Sequence, residues 1–344
     1  MKRILILYRE LAGYFVECVN NLSSKRNITI DIIAYPVNSD APFTFNFGPE
    51  INVFKRNDFD LNALLQMASY YEYDMIFCGG WGDKDYLQVV SRSRAKVKLL
   101  GFDNQWSGSI KQRLASMYAR SAITPLFDVA FVPGPGQVVF AKHIGFKQTQ
   151  IVTGAYCCDV NKFRAISKSQ SDGVNKLYFV GRYAPEKFIA ELTDAMAELL
   201  DEHSYNWELQ CAGVGPLWNK RIERNGIIHK GFMQPDELAK WMNHGDAFIL
   251  PSTFEPWGVA VHEFAAAGYP LILSDCVGAR HAFLEEGKNG YLFKCGNKAE
   301  MKKKMKVLFN SDSTQIKKMG DNSREFSLRI TQQTWADSLY DLIK

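Results

Sequence analysis

Short apolar runs alternate with longer amphipathic segments along the whole chain. In the first half, apolar runs lie at residues 4–8, 28–34, 74–78, 97–101 and 129–132. The segments between them place apolar residues at helical spacing, around residues 11–22, 61–71, 109–122 and 137–144. Strands buried in a parallel sheet appear as continuous apolar runs, and helices connect them. The pattern therefore predicts a parallel α/β architecture.

A second series of the same kind begins at Lys176. Its predicted strands are residues 177–181, 207–212, 227–230, 247–250, 271–273 and 291–293. Its predicted helices are residues 185–200, 235–243, 257–267 and 299–309, and residues 334–343 form a further amphipathic segment. Between the two series, residues 168–173 are polar and rich in turn-forming side chains, so they are the predicted interdomain linker.

The length of the chain supports two domains. A single hydrophobic core stops growing at about 250–300 residues, whereas this chain has 344 residues with 47% hydrophobic content. We therefore predict two Rossmann-like domains, at residues 1–167 and 168–329, followed by a C-terminal helix at residues 330–344. Ligands of such sheets bind at the carboxyl ends of the strands, so chemistry is expected in a cleft between the two halves.

Charge and cysteine content limit the possible partners and the compartment. The net charge of +4 is a mild excess that does not require nucleic acid, and a basic helix face at residues 301–306 leaves peripheral membrane contact open. Seven cysteines without a C-x-x-C pair predict buried thiols, neither a disulfide framework nor a zinc site. The expected location is the cytoplasm, at most peripheral at the inner face of the membrane, because no apolar run approaches about 18 residues.

Residues 251–270 carry the most informative pattern in the chain. They predict a strand, a loop, a helix and a second strand, with Glu255 in the loop and Glu263 within the helix. A helix N-terminus near Pro256 and Gly258 offers free N–H groups and a dipole to a phosphate. Glu263 lies roughly 8 Å along the helix from that end, at ~1.5 Å per residue. That distance suits a carboxylate that accepts both hydroxyls of a ribose, while Glu255 faces the other end of the ligand. The spacing predicts a nucleotide diphosphate-sugar site.

These residues also resemble a known family. Glu255 and Glu263, eight positions apart around Pro-Trp-Gly, are similar to the E-x7-E motif of retaining GT-B glycosyltransferases, especially glycosyltransferase family 4. The segment from Gly181 and Arg182 to Lys187 resembles the Gly-Arg-x-x-x-x-Lys segment of that family. The resemblance implies that Arg182 and Lys187 hold the donor pyrophosphate. It names Arg182, Lys187 and Glu255 as the catalytic residues.

Two further segments extend the resemblance, one with a Gly-x-Gly-Pro loop and one with a strand-end Gly-aromatic pair. On its own the Gly-x-Gly pattern fits a tight strand-to-helix turn equally well. The residues assigned to nucleotide and donor binding are Gly181, Gly213, Gly215, Lys230, Gly231, Phe232, Pro256, Trp257, Gly258, Val259 and Glu263.

The resemblance implies a GT-B fold, in which a C-terminal helix crosses back onto the first domain. It implies a retaining glycosyltransferase that moves a hexose from a UDP- or GDP-sugar to a carbohydrate or lipid-linked acceptor, in surface polysaccharide or glycoconjugate biosynthesis. No metal or other cofactor is expected, because arginine and lysine stabilise the leaving diphosphate. Two alternatives stay open: a GT-B epimerase or phosphorylase, and a non-catalytic nucleotide-sugar-binding protein.

The first domain departs from the family pattern. The loop after the first strand has one glycine, and Phe102 stands where the family has a histidine. Aromatic faces suit sugar rings and carboxylates suit their hydroxyls, whereas a packed tryptophan or a helix-capping aspartate is the ordinary alternative. The candidate acceptor-binding residues are Arg9, Tyr14, Trp81, Asp103 and Trp106. We expect His262, beside Glu263, to be a core histidine with satisfied hydrogen bonds.

Overall fold

A computed structural model describes residues 2–37, 42–167, 173–202 and 205–344 of the chain. The chain divides into two compact units, Met1–Cys157 with Gln332–Lys344, and Cys158–Thr331. The division falls before the predicted boundary at residues 167 and 168, because helix Val160–Arg164 packs on helix Val259–Ala266 of the second unit. Most of the predicted linker, residues 168–172, lies outside the described residues.

The first unit contains a parallel sheet of seven strands. The strands are β1 (Lys2–Tyr8), β2 (Ile28–Ala34), β3 (Ile51–Lys55), β4 (Met75–Gly79), β5 (Val97–Gly101), β6 (Val129–Val132) and β7 (Ile151–Thr153). The helices are α1 (Gly13–Arg26), α2 (Leu61–Tyr70), α3 (Lys84–Arg92), α4 (Ile110–Ala122), α5 (Pro135–His143) and, from the end of the chain, α13 (Gln332–Asp341). The sheet order is β3-β2-β1-β4-β5-β6-β7.

Strands β3 and β7 were not predicted from the sequence. Both are edge strands, and most of their side chains are exposed or only partly buried. An edge strand needs no continuous apolar run, so the pattern that indicates a central strand is missing.

The terminal helix α13 packs on α1 within the first unit. Trp335 is 1% exposed, and its indole N–H donates to the carbonyl of Ala155 at 2.9 Å. Its ring packs against Phe15 and Phe131, with centroids 5.9 and 5.8 Å away. Burial of the Trp335 ring, with its N–H satisfied, therefore holds this amphipathic helix in place.

The second unit contains a parallel sheet of six strands. The strands are β8 (Asn175–Val180), β9 (Trp207–Ala212), β10 (Ile227–His229), β11 (Ala247–Leu250), β12 (Leu271–Ser274) and β13 (Gly290–Phe293). The helices are α6 (Val160–Arg164), α7 (Ile189–Glu202), α8 (Pro235–Trp241), α9 (Val259–Ala266), α10 (Arg280–Phe283), α11 (Lys298–Phe309) and α12 (Ser313–Phe326). The sheet order is β10-β9-β8-β11-β12-β13.

Both sheets are doubly wound in the Rossmann order, with the first strand beside the fourth. The strand order reverses between β1 and β4 in the first unit and between β8 and β11 in the second. Connections leave in opposite directions at such a point and open a crevice at the carboxyl ends of the strands. The predicted fold class of two Rossmann-like α/β domains is therefore confirmed.

One cysteine pair corrects the expectation that every cysteine is a free thiol. Cys276 and Cys295 form a disulfide, whereas the other five cysteines are free and buried. The register explains the pair, because Ser274 on β12 lies opposite Phe293 on β13, and each cysteine comes two residues later. Sequence separation alone could not show that these two strands are neighbours.

Several lysines of the basic face of α11 are paired with carboxylates within the second unit. Lys298, Lys302 and Lys306 form ion pairs with carboxylates of the neighbouring helix α7. Those partners are Asp194, Glu198 and Glu202. These pairs reduce the free cationic surface of this face, where Lys303 stays exposed, and membrane contact through it remains a prediction.

Candidate functional site

The loops that follow β8, β9 and β10 are joined by backbone hydrogen bonds. The Gly181 N–H donates to the carbonyl of Ala212 at 3.0 Å, and the Gly213 N–H donates to the carbonyl of Gly231 at 2.7 Å. Further along, the Tyr183 N–H donates to the carbonyl of Val214 at 2.9 Å. The three strand ends therefore form one continuous backbone surface beside the switch point of the second unit.

Two glycines in this surface cannot carry a side chain. Gly213 has φ +130°, and a Cβ there would lie 2.0 Å from the Gly181 carbonyl oxygen. Gly215 has φ +157°, and a Cβ there would lie 2.7 Å from the Tyr183 carbonyl oxygen. Close backbone packing and left-handed torsions, rather than a loose turn, account for the Gly-x-Gly pattern. The result is a surface of bare backbone that a planar ligand group can approach. We call this surface, formed around Gly213 and Gly215, the glycine wall.

Arg182 lies at the mouth of this wall. Its guanidinium donates to the carboxylate of Glu186 at 2.5 Å, and its side chain is 58% exposed. The backbone carbonyl of Glu186 in turn accepts from the Thr253 N–H at 2.8 Å. This short turn therefore connects the loop after β8 with the loop after β11, across the switch point. Arg182 can leave its exposed partner at little cost when an anion arrives.

Lys187 and Glu255 meet on the β11 side. They form an ion pair in which both side chains are largely buried, 19% and 13% exposed. The Ser252 hydroxyl also donates to Glu255 at 3.3 Å, and the Glu255 carbonyl accepts from the Gly278 N–H at 3.0 Å. The structure thus places these two predicted catalytic residues side by side. Arg182 lies on the same turn, where its guanidinium donates to Glu186, the residue directly before Lys187.

Helix α9 begins directly beside Glu255. Gly258 precedes the helix with φ +94°, and a Cβ there would lie 3.1 Å from Glu255 Cγ. The helix starts at Val259, not at Trp257 as predicted, because this left-handed glycine interrupts helical geometry. No side chain caps Gly258, which leaves the first N–H groups of α9 for a ligand.

Pro256 and Trp257 belong to the loop that leads into that helix. The Trp257 carbonyl accepts from the Ala279 N–H at 2.9 Å. The Trp257 ring is buried, and its indole nitrogen has no hydrogen-bond partner among the described residues. An orphaned buried donor beside a helix N-terminus is unusual, since buried polar groups are nearly always paired.

Glu263 lies one turn into α9 and is partly buried. Its side chain forms no hydrogen bond or ion pair with the residues that the structure describes. Burial raises the pKa of its carboxyl to about 7, and the charge of Lys162 partly opposes the shift. An unpartnered carboxylate at this depth is available to accept hydroxyl donors from a ligand.

His262 has the core role expected for it. Its Nδ1 accepts from the Cys158 N–H at 3.2 Å, and its Nε2 donates to the Ser327 carbonyl at 2.9 Å. The ring stacks on Phe283 at 4.1 Å. Burial lowers the pKa of His262 to about 4, so the ring is neutral at physiological pH. It positions α9 and offers no free nitrogen for catalysis.

The loop after β10 adds the remaining donor candidates. The Lys230 N–H donates to the Cys211 carbonyl at 2.9 Å, which aligns this loop with β9, while the Lys230 side chain is exposed. Gly231 has φ +75°, and Trp218 is the closest side chain to the position of its missing Cβ, at 4.0 Å. Phe232 follows it and is partly buried.

An aromatic group beside the glycine wall was not predicted. The Tyr183 hydroxyl donates to His229 Nδ1 at 2.7 Å, and His229 Nε2 donates to the Ile222 carbonyl at 2.9 Å. Trp218 packs on Tyr183 at 5.0 Å, with the Arg221 guanidinium 4.2 Å above the Trp218 ring. The signal in the sequence was weak, because Tyr183 follows Arg182 directly but Trp218 and His229 lie in other loops.

The switch point of the first unit is built differently. The Tyr8 ring occupies it, since a Cβ at Gly79 would lie 2.4 Å from Tyr8 Cδ2. Tyr14 packs against Tyr156 at 5.3 Å, and the pKa of both Tyr8 and Tyr14 is raised by burial and by the carboxylate of Asp103. Tyr14 and Asp103 are therefore together as candidate acceptor residues, and Tyr8 and Tyr156 are additional members that sequence reasoning missed.

The other acceptor candidates make separate contacts in the first unit. Trp81 packs against Phe102 and Phe140 at 5.5 and 6.1 Å, and the buried Phe102 occupies the position of the family histidine. Trp106 stacks on His143 at 3.7 Å, and the Arg9 guanidinium lies over Gly82. Trp81 and Phe102 therefore pack against each other, and Trp81, which is only partly buried, stays a candidate acceptor residue. In the same loop Asp83 caps α3, as the ordinary alternative expected of an aspartate there.

One group of potential metal ligands is present among the described residues. Ligand atoms of Asp275, Cys276 and Cys295 lie within 4.8 Å of one another. Both sulfurs are joined in the disulfide, so they are not thiolate ligands in this structure.

One segment of the chain matches a known protein family. Residues 174–311 match the family described as Glycosyl transferases group 1. This segment lies within the second unit and spans the glycine wall, the Lys187–Glu255 pair and Glu263.

Two curated relatives align with part of the chain. The uncharacterised glycosyltransferase MJ1607 of Methanocaldococcus jannaschii is 31% identical over 126 residues, 35% of this chain and 32% of the relative. The D-inositol 3-phosphate glycosyltransferase of Corynebacterium efficiens is 30% identical over 178 residues, 47% of this chain and 41% of the relative. The chain therefore aligns with less than half the length of these relatives.

A solved structure matches the complete chain. Anabaena HepE superposes with a TM-score of 0.74 at 15% identity, covering 98% of both chains. The chain has the GT-B fold, and the segment that matches the group 1 family model lies in the second unit. None of the helices in the described ranges combines the length and hydropathy of a bilayer-spanning segment.

Proposed function

We propose that the chain is a retaining glycosyltransferase that moves a hexose from a UDP- or GDP-sugar to a carbohydrate or lipid-linked acceptor. The observation that carries the proposal is the grouping of Arg182, Lys187 and Glu255 at the switch point of the second sheet, next to the uncapped start of α9. Surface polysaccharide or glycoconjugate assembly on the cytoplasmic side is the proposed context.

The unpaired carboxylate gives the donor its orientation. Glu263 accepts the two ribose hydroxyls, and the pyrophosphate then extends toward the first N–H groups of α9, where the helix dipole favours negative charge. The base lies along the wall that Gly213 and Gly215 keep free of side chains. The glycine torsions and the Glu263 carboxylate thus act as one nucleotide cradle.

The cations supply the electrostatic part of the reaction. Arg182 and Lys187 are held by Glu186 and Glu255 in the structure, and the diphosphate shares or displaces these partners. As the sugar–phosphate bond breaks, the two cations stabilise the charge on the departing diphosphate. Glu255, released from Lys187, accepts hydrogen bonds from the sugar hydroxyls.

Retention requires the acceptor to attack from the face that the leaving group vacates. The acceptor hydroxyl forms the new C1–O bond while the C1–O bond to phosphate breaks. Its proton passes to the departing phosphate oxygen, so no separate protein base is needed. The cluster of Tyr8, Tyr14, Tyr156 and Asp103 in the first unit is the proposed location for acceptor hydroxyls.

The relatives decide which ligand to test first. The HepE structure contains UDP and glucose, and a second relative is named as a D-inositol 3-phosphate glycosyltransferase. These facts describe those proteins. They make UDP the first nucleotide to try here, followed by GDP.

A thermal-shift titration with UDP, GDP, CDP and NAD, without added metal, tests the nucleotide cradle. A ligand at 100 times its Kd stabilises the fold by ~2.7 kcal/mol, which is easily measured. We expect one nucleoside diphosphate to stabilise the wild type and to stabilise Glu263→Ala much less. Glu325→Ala, an exposed glutamate on α12, is the matched control and should respond like the wild type. Equal responses in Glu263→Ala and wild type would remove the ribose role.

Product analysis tests the reaction itself. We expect NMR of the product to show the anomeric configuration of the donor, and Arg182→Ala to lower turnover more than nucleotide affinity. Donor binding with neither hydrolysis nor transfer would instead indicate the binding-protein alternative. Conversion of the donor alone into an isomer would indicate an epimerase.

A further inference from the structure

The outer face of α4 in the first unit is apolar and uncovered. Ile110, Leu114, Met117 and Tyr118 are 78%, 63%, 70% and 64% exposed. At about 100° per residue they lie within an arc of roughly 100°, opposite the buried Ser116 and Ala119. Scattered single apolar residues need no explanation, but four large ones on one helical stripe form a continuous patch. We call this stripe the α4 face.

Basic residues flank the α4 face without acidic partners. Lys111 lies on one side of the stripe, and Arg113 and Arg120 lie on the other. Within the described residues none of the three forms an ion pair, in contrast to the lysines of α11. Arg113 donates only to a backbone carbonyl, that of Gly108, at 3.0 Å.

Basic residues outnumber carboxylates in the part of the sequence that contains this helix. Residues 104–158 contain five basic side chains and one carboxylate, Asp128. Their excess of four equals the formal net charge of the whole chain, +4. The basic residues are Lys111, Arg113, Arg120, Lys142 and Lys147. Lys111, Arg113 and Arg120 flank the α4 face itself, so a second copy of this face would meet like charge, which disfavours self-association and favours an anionic partner.

A groove runs along the basic side of the helix. It has a volume of about 390 Å³ and is lined by Trp106, Arg113, Ser116, Met117, Arg120 and His143. The Ser116 hydroxyl is buried and has no hydrogen-bond partner among the described residues. Two guanidinium groups and an unsatisfied hydroxyl around one groove suit a phosphate group.

We propose that the α4 face docks on an anionic phospholipid surface, with a lipid phosphate in the Arg113–Arg120 groove. A helix that carries large apolar side chains between basic flanks lies in the membrane interface with its apolar side among the acyl chains. Its four exposed apolar side chains leave water when they enter the acyl region. Lys111, Arg113 and Arg120, which form no ion pair among the described residues, attract the anionic headgroups. Lys298, Lys302 and Lys306 of α11, which are paired with carboxylates of α7, take no part.

Vesicle co-sedimentation tests the docking. We expect the full chain to bind vesicles of phosphatidylcholine with phosphatidylglycerol, to bind pure phosphatidylcholine far less, and to dissociate as salt is raised. The double variant Leu114→Glu, Met117→Glu should partition about tenfold or more weakly, because it removes two exposed apolar side chains that would otherwise be buried among the acyl chains. Tyr70→Glu, at an exposed apolar residue on α2, is the matched control and should bind like the wild type.

A fluorescent label locates the contact. All five free cysteines are buried, so Met117→Cys introduces one accessible thiol for an environment-sensitive dye, with Tyr70→Cys as the control. We expect a blue shift with anionic vesicles only for the label at residue 117. Equal binding to both vesicle types, unchanged binding by the double variant, or self-association that this variant abolishes would each overturn the proposal. No donor or acceptor is used, so this outcome is independent of the glycosyltransferase test.

Discussion

The two units share one topology, but backbone shapes the switch point in one and an aromatic side chain fills it in the other. In the second unit the carboxyl ends of the strands are shaped by backbone, with Gly213, Gly215 and Gly258 in conformations or spaces that exclude side chains. In the first unit the corresponding position is filled by the ring of Tyr8 over Gly79. Backbone geometry leaves a sequence motif because few residue types satisfy it, whereas side-chain packing can be achieved in many ways.

The contrast extends to charge. Lys298, Lys302 and Lys306 of the second unit are paired with carboxylates across two helices. The basic residues of α4 in the first unit remain exposed without such partners among the described residues. Both helices carry several basic residues, and the carboxylates of a neighbouring helix decide which of these cations are available to a partner. The following experiments test these differences.

The largest effect is expected at the glycine wall. Gly213→Ala should lower the free energy of unfolding by about 4 kcal/mol or more, because the new Cβ would lie 2.0 Å from the Gly181 carbonyl oxygen at φ +130°. Gly287→Ala is the control, with φ +76° but no atom within 4 Å of its Cβ. It should cost only about 1–2 kcal/mol from the left-handed torsion. Urea denaturation of both variants measures the difference, and equal costs would show that crowding is unimportant.

The first unit should be most sensitive at a buried ion pair. Asp83 accepts from Arg56 at 3.0 Å and from the Tyr35 hydroxyl at 2.8 Å, and its side chain is 7% exposed. Asp83→Asn should cost about 3 kcal/mol, because it leaves the Arg56 charge without its buried partner. Asp85→Asn removes the more exposed partner of the same arginine and should cost much less. Similar losses would contradict the role of burial.

Acid should weaken the Asp83 interaction in a defined pH range. Burial alone would raise the pKa of Asp83, yet hydrogen bonds from Tyr35 and Arg56 outweigh it and hold the pKa below the usual 3.8. The stabilisation is therefore complete above pH 3.8 and is lost as pH falls through the lower folded value. Urea denaturation of the wild type and Asp83→Asn should show that the difference between their free energies of unfolding becomes smaller as the pH falls through this range.

Glu263 should show the opposite pH dependence in the second unit. Its pKa is raised from 4.5 to about 7, so the folded state holds a proton that the unfolded chain releases. The free energy of unfolding should fall as pH rises from 4.5 to 7, by at most about 3 kcal/mol. Glu263→Gln should lack this fall, measured by urea denaturation at pH 5 and pH 7.5. Parallel curves for both proteins would mean that solvent reaches the carboxylate freely.

The smallest effect is expected on α11. Lys302→Ala removes ion pairs with Glu198 and Glu202 at the surface, and such pairs contribute little because water screens them. The Tm should change by no more than about 2 °C. Vesicle binding should stay at the wild-type level, whereas Arg113→Ala should weaken it. A loss of vesicle binding in Lys302→Ala would support α11 as a membrane contact.

Much of the second unit could be predicted from the sequence. Its central strands are continuous apolar runs, and its loops carry glycines and charges whose spacing is set by local geometry. The same reasoning did not find α12, because this helix is mostly polar and buries few side chains. It also gave no sign that Cys276 and Cys295 are neighbours, since that depends on the register of β12 with β13.

What the sequence determined by itself was the alternation of strands and helices and the positions of Arg182, Lys187, Glu255 and Glu263. These are properties of short segments, governed by periodicity and local backbone torsions. Only the tertiary structure decided that Lys187 meets Glu255, that several α11 lysines are paired with carboxylates, and that the α4 face is left uncovered. Those outcomes depend on which elements become neighbours, and residues far apart in the chain meet through packing that no local pattern encodes.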